Sequence, residues 1–338
     1  MTIAKLGLVV NPMSGRDVRR LAARATNMTH EAKRDIVARV AAGADAMGVT
    51  DIYITREPFR ISAMALEHMG LNARVHIVEH PLANDASDTE RTMAAFLDAG
   101  CDTFVSLGGD GTNRAIVRVA PDINLLPLST GTNNVFPVLA EPTVVGMVAG
   151  LQARGALAGA GHVRQRVKVL HVTLPGGRDI GLIDAVLLRN DHVGNLLPFD
   201  PARIDTLVLT RAEPNSIGMS PIGGLLHPVH AGDDHGLLVT LNPDAAPLHA
   251  PVSPGLFKPV HVDTVSELPF DVAVPLRGPG VIALDGDRDL KLRDGEHAQV
   301  TVRRDGPWVV DVEAAMRWAV AAGIMAPTSD HQHGQPVS

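Results

Sequence analysis

Between Leu107 and Asn113 the chain reads Leu-Gly-Gly-Asp-Gly-Thr-Asn, directly after an apolar run, Thr103 to Leu107, that has the pattern of a buried strand. A strand that feeds a glycine-rich turn and then a helix leaves the first helical N–H groups without intrahelical partners, and such an end binds phosphate. Gly108, Gly109 and Gly111 would let the backbone approach a bulky anion without Cβ clashes and adopt positive φ where needed. The carboxylate of Asp110 stands among them. In an anion cradle it is useful only if it holds a cation or takes a proton, and phosphoryl transfer needs both. The bland alternative is that Asp110 or Thr112 caps a helix over Asn113 to Val119 behind an ordinary tight turn.

Two further segments repeat the pattern. The run Leu6 to Val10 stops at Asn11-Pro12-Met13-Ser14-Gly15 and gives way to a basic stretch with Arg16, Arg19, Arg20 and Arg24. Those arginines read as a solvated helix face, with Arg16 alone placed to touch phosphate. The run Asn124 to Leu128 leads into Ser129-Thr130-Gly131-Thr132-Asn133-Asn134. Loops at the carboxyl ends of parallel strands gather on one edge of an α/β sheet, where ligands bind.

With these residues in this order, Asn11-Pro12-x-Ser14-Gly15, then Gly108-Gly109-Asp110-Gly111-Thr112, then Thr130-Gly131-Thr132-Asn133-Asn134, the chain resembles the superfamily of NAD kinases, diacylglycerol kinases and sphingosine kinases. Gly218-Met219-Ser220-Pro221-Ile222-Gly223-Gly224 and Leu284-Asp285-Gly286-Asp287-Arg288 bring it nearest to the acetoin-catabolism protein X group of NAD-kinase-like proteins. The resemblance implies nucleotide bound between a Rossmann-like α/β domain and a β-rich, sandwich-like domain, with a C-terminal helix returning to the first. It makes Asp110 the catalytic or metal-organising acid. It assigns nucleotide contacts to Asn11, Ser14, Gly15, Gly108, Gly109, Gly111, Thr112, Asn113, Arg114, Thr130, Gly131, Thr132, Asn133 and Asn134. Asp285, Gly286, Asp287 and Arg288 form a second candidate site. Arg114 and Arg288, each following a site loop, are candidate phosphate clamps.

The function expected from this resemblance is ATP-dependent transfer of a phosphoryl group to a hydroxyl of NAD or a small metabolite, with Mg²⁺ accompanying the nucleotide. A non-catalytic NAD- or ATP-binding regulator is the alternative, and a lipid kinase stands third. Two departures bear on the acceptor. Where NAD kinases carry an Asn-Glu or Asn-Asp pair and a Thr-Gly-Ser-Thr-Ala-Tyr segment, this chain has Asn133-Asn134 and Ser220-Pro221-Ile222-Gly223-Gly224. Where lipid kinases carry Asp-Gly-Glu, it has Asp285-Gly286-Asp287, whose second carboxylate is one methylene shorter. Asp-Gly between apolar runs is also a hairpin signal in its own right.

Length and charge agree with this reading. A chain of 338 residues has material for two domains. A net charge of −7 and only ten aromatic residues argue against nucleic acid as a partner, which calls for a basic stripe. The lone Cys101 excludes an internal disulfide framework and suits a reducing compartment. No apolar stretch approaches a membrane span, so a cytoplasmic protein with small-molecule partners, and a homo-oligomer by family habit, is expected.

Strands are expected at Leu6 to Val10, Asp51 to Thr55, Arg74 to Val78, Thr103 to Leu107 and Asn124 to Leu128, alternating with helices as in a parallel sheet. The clearest helix covers Asp88 to Ala99, with Ser87 and Glu90 at capping-box spacing. A first domain is expected over residues 1–142, and a β-rich domain over 143–305 that opens with a helix from Thr143 to Ala153. Its strands are expected at Gln165 to Leu174, Asp179 to Leu188, Asp205 to Leu209, Leu237 to Leu241, Val260 to Val265 and Gln299 to Arg303. A helix near Val312 to Ala322, within 306–325, should return to the first domain, and 326–338 reads as a disordered tail. No dedicated metal site is expected, because His227, His230, Asp233, Asp234 and His235 match no standard zinc spacing and read as a solvated loop between strands.

Overall fold

The computed structural model describes residues 3–15, 28–130, 134–195 and 199–326. The expectations placed on Arg16 to Arg24, on Gly131, Thr132 and Asn133, and on the tail therefore lie outside the described residues. The first apolar runs form strands β1 (Lys5–Val10), β2 (Asp51–Thr55), β3 (Arg74–Val78), β4 (Thr103–Gly108) and β5 (Asn124–Ser129). They alternate with helices α1 (His30–Ala46), α2 (Ile61–Leu66), α3 (Ala86–Asp98), α4 (Asp110–Val119) and α5 (Pro142–Ala153). Every residue of β4 is buried, as a central parallel strand covered on both faces must be.

Helix α3 begins earlier than its capping-box spacing suggests. Asp85 is the N-cap and accepts from the Ser87 N–H at 2.8 Å, while Asp88 turns back onto the N–H groups of Ala83 and Asn84. Glu90 is used instead on Arg118 of α4, at 3.3 Å.

The division between halves also falls later than residue 142. Helix α5 packs along α1 so closely that a Cβ on Gly43 or Gly146 would overlap a backbone oxygen of the other helix. Strand β6 (Arg164–Arg166) still belongs to the first sheet, and the second half starts with β7 (Val169–Leu174). The expected strand Gln165 to Leu174 is thus two strands in two sheets. Asp179 to Leu188 is likewise two, β8 (Gly177–Gly181) and β9 (Asp184–Leu188).

There follow β10 (Ile204–Leu209), the short helix α6 (Ser220–Gly224), β11 (His235–Leu241), β12 (Pro247–Ser253), β13 (Leu256–Pro269), β14 (Val274–Arg277), β15 (Gly280–Leu284), β16 (Asp287–Leu292) and β17 (His297–Arg303). They make two antiparallel sheets, ordered β12-β13-β11-β10-β9-β15-β16 and β14-β17-β7-β8. Leu170, Val172 and Val300 of the smaller sheet share one apolar cluster with Ala185, Leu187, Val208 and Ile282 of the larger, so the two sheets close face to face as a sandwich.

The chain then returns. Strand β18 (Trp308–Val310) pairs parallel with β5, and helix α7 (Val312–Ala321) places Ala315 and Ala319 in the core shared by α1 and α5. The first sheet is ordered β3-β2-β1-β4-β5-β18-β6, parallel except for β6. Its order reverses between β1 and β4, so the loops after these two strands flank a crevice at the switch point. Leu182 and Ile183, just before β9, pack with Ile116 and Val117 of α4 and with Phe136, which brings the sandwich against that crevice. Among the described residues no helix is long and apolar enough to cross a membrane.

Candidate functional site

At the end of β1 the chain bonds across to β4, Asn11 N–H donating to the Leu107 carbonyl at 3.0 Å. The Asn11 side chain holds both loops. Its Oδ1 accepts from the N–H groups of Met13 and Ser14, and its Nδ2 donates to Thr112 Oγ1 at 2.8 Å. Ser14 Oγ meets Thr130 Oγ1 at 2.7 Å, which ties in the loop after β5. Beneath them the fully buried Lys33 of α1 donates to the carbonyls of Asn11 and Pro12 at 2.9 and 2.7 Å.

None of Gly108, Gly109 and Gly111 has a positive φ. What they supply is close approach. A Cβ on Gly108 would lie 2.5 Å from Thr112 Cβ, one on Gly109 2.8 Å from Asn134 Oδ1, and one on Gly111 3.0 Å from Asp287 Oδ2. The last contact is where the first-domain turn meets the sandwich.

Asp110 opens α4, and its carboxylate accepts from the N–H groups of Val135 at 3.2 Å and Phe136 at 2.9 Å. Four more carboxylates line the same space from the sandwich, those of Asp184, Asp285, Asp287 and Asp289. Asp285 and Gly286 form the tight turn between β15 and β16, with φ of 49° and 89°, as a two-residue hairpin requires. The Asp285 carboxylate accepts from the N–H groups of Leu182, Ile183 and Asp184 at 2.7 to 3.3 Å, and this interrupts what reads in sequence as one strand. Asp287 pairs with Arg114 of α4 at 2.9 Å. Asp184 is only 7% exposed, and its Oδ1 is buried without a hydrogen-bond partner among the described residues.

Crowding like charges out of water disfavours ionisation. Burial, then the Asp285 charge, push the Asp110 carboxyl up to about 7. Burial, then the charges of Asp285 and Asp110, raise that of Asp184 well above the carboxylate range, and burial raises that of Asp285. Oxygen donors so arranged suit a hard divalent cation, which would relieve their repulsion and give Asp184 Oδ1 a partner. The cleft these residues line, about 1170 Å³, runs on from Asn11 to Gly15 and from Gly109 to Thr112 toward Phe59, His80, Phe199 and Met219.

Residues 6–153 match the ATP-NAD kinase N-terminal domain, and residues 168–305 match the Acetoin catabolism protein X C-terminal domain. Acetoin catabolism protein X of Cupriavidus necator is 32% identical over 333 residues, covering 93% of this chain and 92% of that one. The chain belongs to the acetoin catabolism protein X family. Its fold is that of the NAD kinases. Yeast NADH kinase complexed with NADH superposes with a TM-score of 0.56 at 12% identity, over 97% of this chain and 90% of that one. A candidate diacylglycerol kinase from Bacillus anthracis str. Sterne gives 0.53 at 12% identity, over 92% and 98%.

In this family member the expected site residues divide. Asn11, Ser14, Gly15, Gly109, Asp110, Gly111, Thr112, Asn134, Asp285, Gly286 and Asp287 line the cleft. Asn113 does not: it is fully buried behind the turn, accepting from Ser106 Oγ at 2.7 Å and donating to the Gly109 carbonyl at 2.9 Å. Thr130 is 1% exposed and serves Ser14. Gly108 ends β4 under Thr112.

Neither arginine is placed as a phosphate clamp. Arg114 is buried and occupied by the Leu284 carbonyl and Asp287. Arg288 is buried against Asp191 at 3.0 Å and stacks over the Phe199 ring at 4.2 Å. Strand pleating explains the second case, because successive residues of β16 point to opposite faces, Asp287 to the cleft and Arg288 away.

Three residues with a part in the site were not singled out from sequence. Asp184 sits inside an apolar run, Lys33 inside a helix, and Arg211 beneath the Asp110 loop, 5.3 Å over the Phe136 ring. Of the histidine-rich loop, His227 and His235 come together with Glu267, away from the residues lining the cleft.

Proposed function

We propose that this protein is an ATP-dependent phosphotransferase that passes a phosphoryl group to a hydroxyl of a small metabolite or of NAD, in the breakdown of acetoin. One observation carries the reading: the carboxylate of Asp110 stands at the start of a glycine-bounded helix in a cleft lined by four further carboxylates of the sandwich, where burial and the Asp285 charge push its pKa up to about 7. A general base is most effective when its pKa lies near the working pH. Asp110 takes the proton of the acceptor hydroxyl while the Val135 and Phe136 N–H groups hold its carboxylate in place. The N–H groups at the start of α4, from Gly109 to Thr112, receive the phosphates. Asp184, Asp285 and Asp287 would hold the Mg²⁺. ATP supplies the transferred group, and the metal offsets the charge that gathers on it. Yeast NADH kinase, with its NADH, shares the fold and keeps NAD among the acceptors to be tried.

The test incubates the protein with γ-labelled ATP, Mg²⁺ and, in turn, NAD and acetoin-like hydroxy compounds, beside Asp110→Asn. Label should appear on one acceptor and fall by roughly 10² to 10⁴ in the variant, the range a positioned base contributes. Wild-type kcat/KM should rise with pH and level off above the pKa of Asp110, which bound Mg²⁺ brings below its value of about 7 in the metal-free cleft, because the base works deprotonated. Wild-type turnover in Asp110→Asn would remove Asp110 from the role. Nucleotide binding with no transfer to any acceptor would make the protein a nucleotide-binding regulator.

A further inference from the structure

The sandwich carries a second group of metal-type donors that the phosphotransfer reading does not use. His235 is the first residue of β11, and Glu267 lies near the end of β13, directly opposite Leu237 in the antiparallel ladder. Residues opposite one another point to the same face, and so do residues two apart on one strand. The His235 and Glu267 side chains therefore meet diagonally across the ladder. His227 arrives from the turn that leaves α6, held there by its own N–H donating to the Gly223 carbonyl at 2.8 Å.

One ligand atom from each of the three lies within 4.8 Å of the others. His227 Nε2 stands 3.2 Å from Glu267 Oε1, and His235 Nε2 stands 3.7 Å from the same oxygen. Two ligands on a tetrahedral Zn²⁺ with bonds near 2.0 to 2.1 Å are about 3.3 Å apart, so the separations of 3.2 and 3.7 Å from Glu267 Oε1 need only small side-chain adjustments to close on an ion. A hydrogen-bonded cluster does not account for all three groups. Glu267 can satisfy His227, yet His235 Nε2 remains buried with no hydrogen-bond partner among the described residues. A cation at the centre gives both imidazoles and the carboxylate a partner at once.

We propose that His227, His235 and Glu267 bind one divalent transition-metal ion of the Zn²⁺ class. Two imidazoles and one carboxylate are the donors such ions take, whereas Mg²⁺ prefers oxygen alone. The fourth position opens to water, since His227 and Glu267 have side chains 44% and 56% exposed. The ion fastens the 227–235 loop to the sheet on one side. Lys168 fastens it on the other, through Nζ to the carbonyls of His230 and His235, both at 2.8 Å.

The experiment strips the full-length protein with chelator and titrates it with Co²⁺, followed by its visible d–d bands, and with Zn²⁺, followed by calorimetry. His331 and His333 in the tail are first replaced by alanine, so that no other pair of closely spaced histidines contributes to the titration. One equivalent of each ion should bind. Affinity should fall at least tenfold in His235→Ala and in Glu267→Gln, and Mg²⁺ should not compete. Zn²⁺ should raise the melting temperature of the parent and leave that of both variants unmoved. No binding by the parent at micromolar ion, or equal affinity in the parent and both variants, would overturn the assignment. Glu267 is exposed and His235 half-buried at the end of a strand, so a circular dichroism spectrum matching the parent is expected of both variants and separates loss of a ligand from loss of the fold.

Discussion

The two walls of the cleft are built on opposite principles. On the first-domain wall, polar groups are paired with one another: Asn11 with Thr112, Ser14 with Thr130, and Lys33 with two carbonyls, around glycines that admit close backbone contact. On the sandwich wall, the carboxylates of Asp184, Asp285, Asp287 and Asp289 line the same cleft as Asp110, and Asp184 Oδ1 has no hydrogen-bond partner among the described residues. The first wall's polar groups are satisfied as they stand. The second stores electrostatic strain that a bound cation would release, so its stability should depend on pH and on cation, whereas that of the glycine wall should depend on steric fit.

The largest effect that would separate the two walls is a pH dependence. Asp110 has its carboxyl raised from the ordinary value of 3.8 to about 7, so between those values the folded state holds a proton that the unfolded state has lost. The stability this contributes is fully present below about pH 4 and is lost as pH rises through about 7, on the order of 4 kcal/mol over the window. Asp110→Asn, which mimics the protonated acid, should therefore be more stable than wild type at pH 8, with the gap closing toward pH 4. Asp184→Asn should move in the same direction. Mg²⁺ at pH 8 should raise the wild-type melting temperature and act more weakly on both variants. Urea denaturation at several pH values reads all of this. A wild-type stability that is flat from pH 5 to 8 would mean that the acidic wall carries no such strain.

Next in size is the one carboxylate of that wall which also builds structure. Asp285→Ala leaves the N–H groups of Leu182, Ile183 and Asp184 without their acceptor and puts alanine at a φ of 49°. The expected cost is about 2 to 3 kcal/mol. Asp285→Asn keeps an acceptor oxygen and a residue that tolerates the left-handed region, so most of that stability should remain. Equal melting temperatures for the two variants would show that the hairpin, not the carboxylate, holds residues 182–184.

This division also governs what could be read from the chain. The parallel sheet was legible, because its inner strands write themselves as short apolar runs ending in turn residues and the exposed edge strand β3 as a β-branched alternation, and β1 to β5 fall within one residue of the expected runs. The glycine wall was legible for the same reason: Gly108 to Thr112 is contiguous. The acidic wall comes from positions far apart in sequence. Asp285-Gly286 signals its own hairpin, but nothing local to Asp184 distinguishes it from a polar residue opening an edge of β9. The pleat decided Arg288 and the helix period decided Asn113, each turned inward from a neighbour that faces the cleft. Likewise, Glu267 joins His227 and His235 only through the register of β11 on β13.

The smallest predicted effect tests the glycine wall from within, by adding one methyl group at two adjacent positions. At Gly108 a Cβ would sit 2.5 Å from Thr112 Cβ and 2.6 Å from its Oγ1, atoms fixed by helix α4 and by the bond from Asn11. The first turn of the helix has to move, and Gly108→Ala should cost about 1 to 2 kcal/mol. At Gly109 the near atom is Asn134 Oδ1, the far end of a side chain that can swing away. Gly109→Ala should then cost less than about 0.5 kcal/mol, any loss of the Asn134 Nδ2 bond to Ser129 Oγ being offset by the lower backbone entropy of alanine in the unfolded chain. Thermal melts of the two variants side by side measure the difference. If Gly109→Ala were the more damaging, the backbone at the turn would have to be held by Asn134 instead of by Thr112 and Asn11.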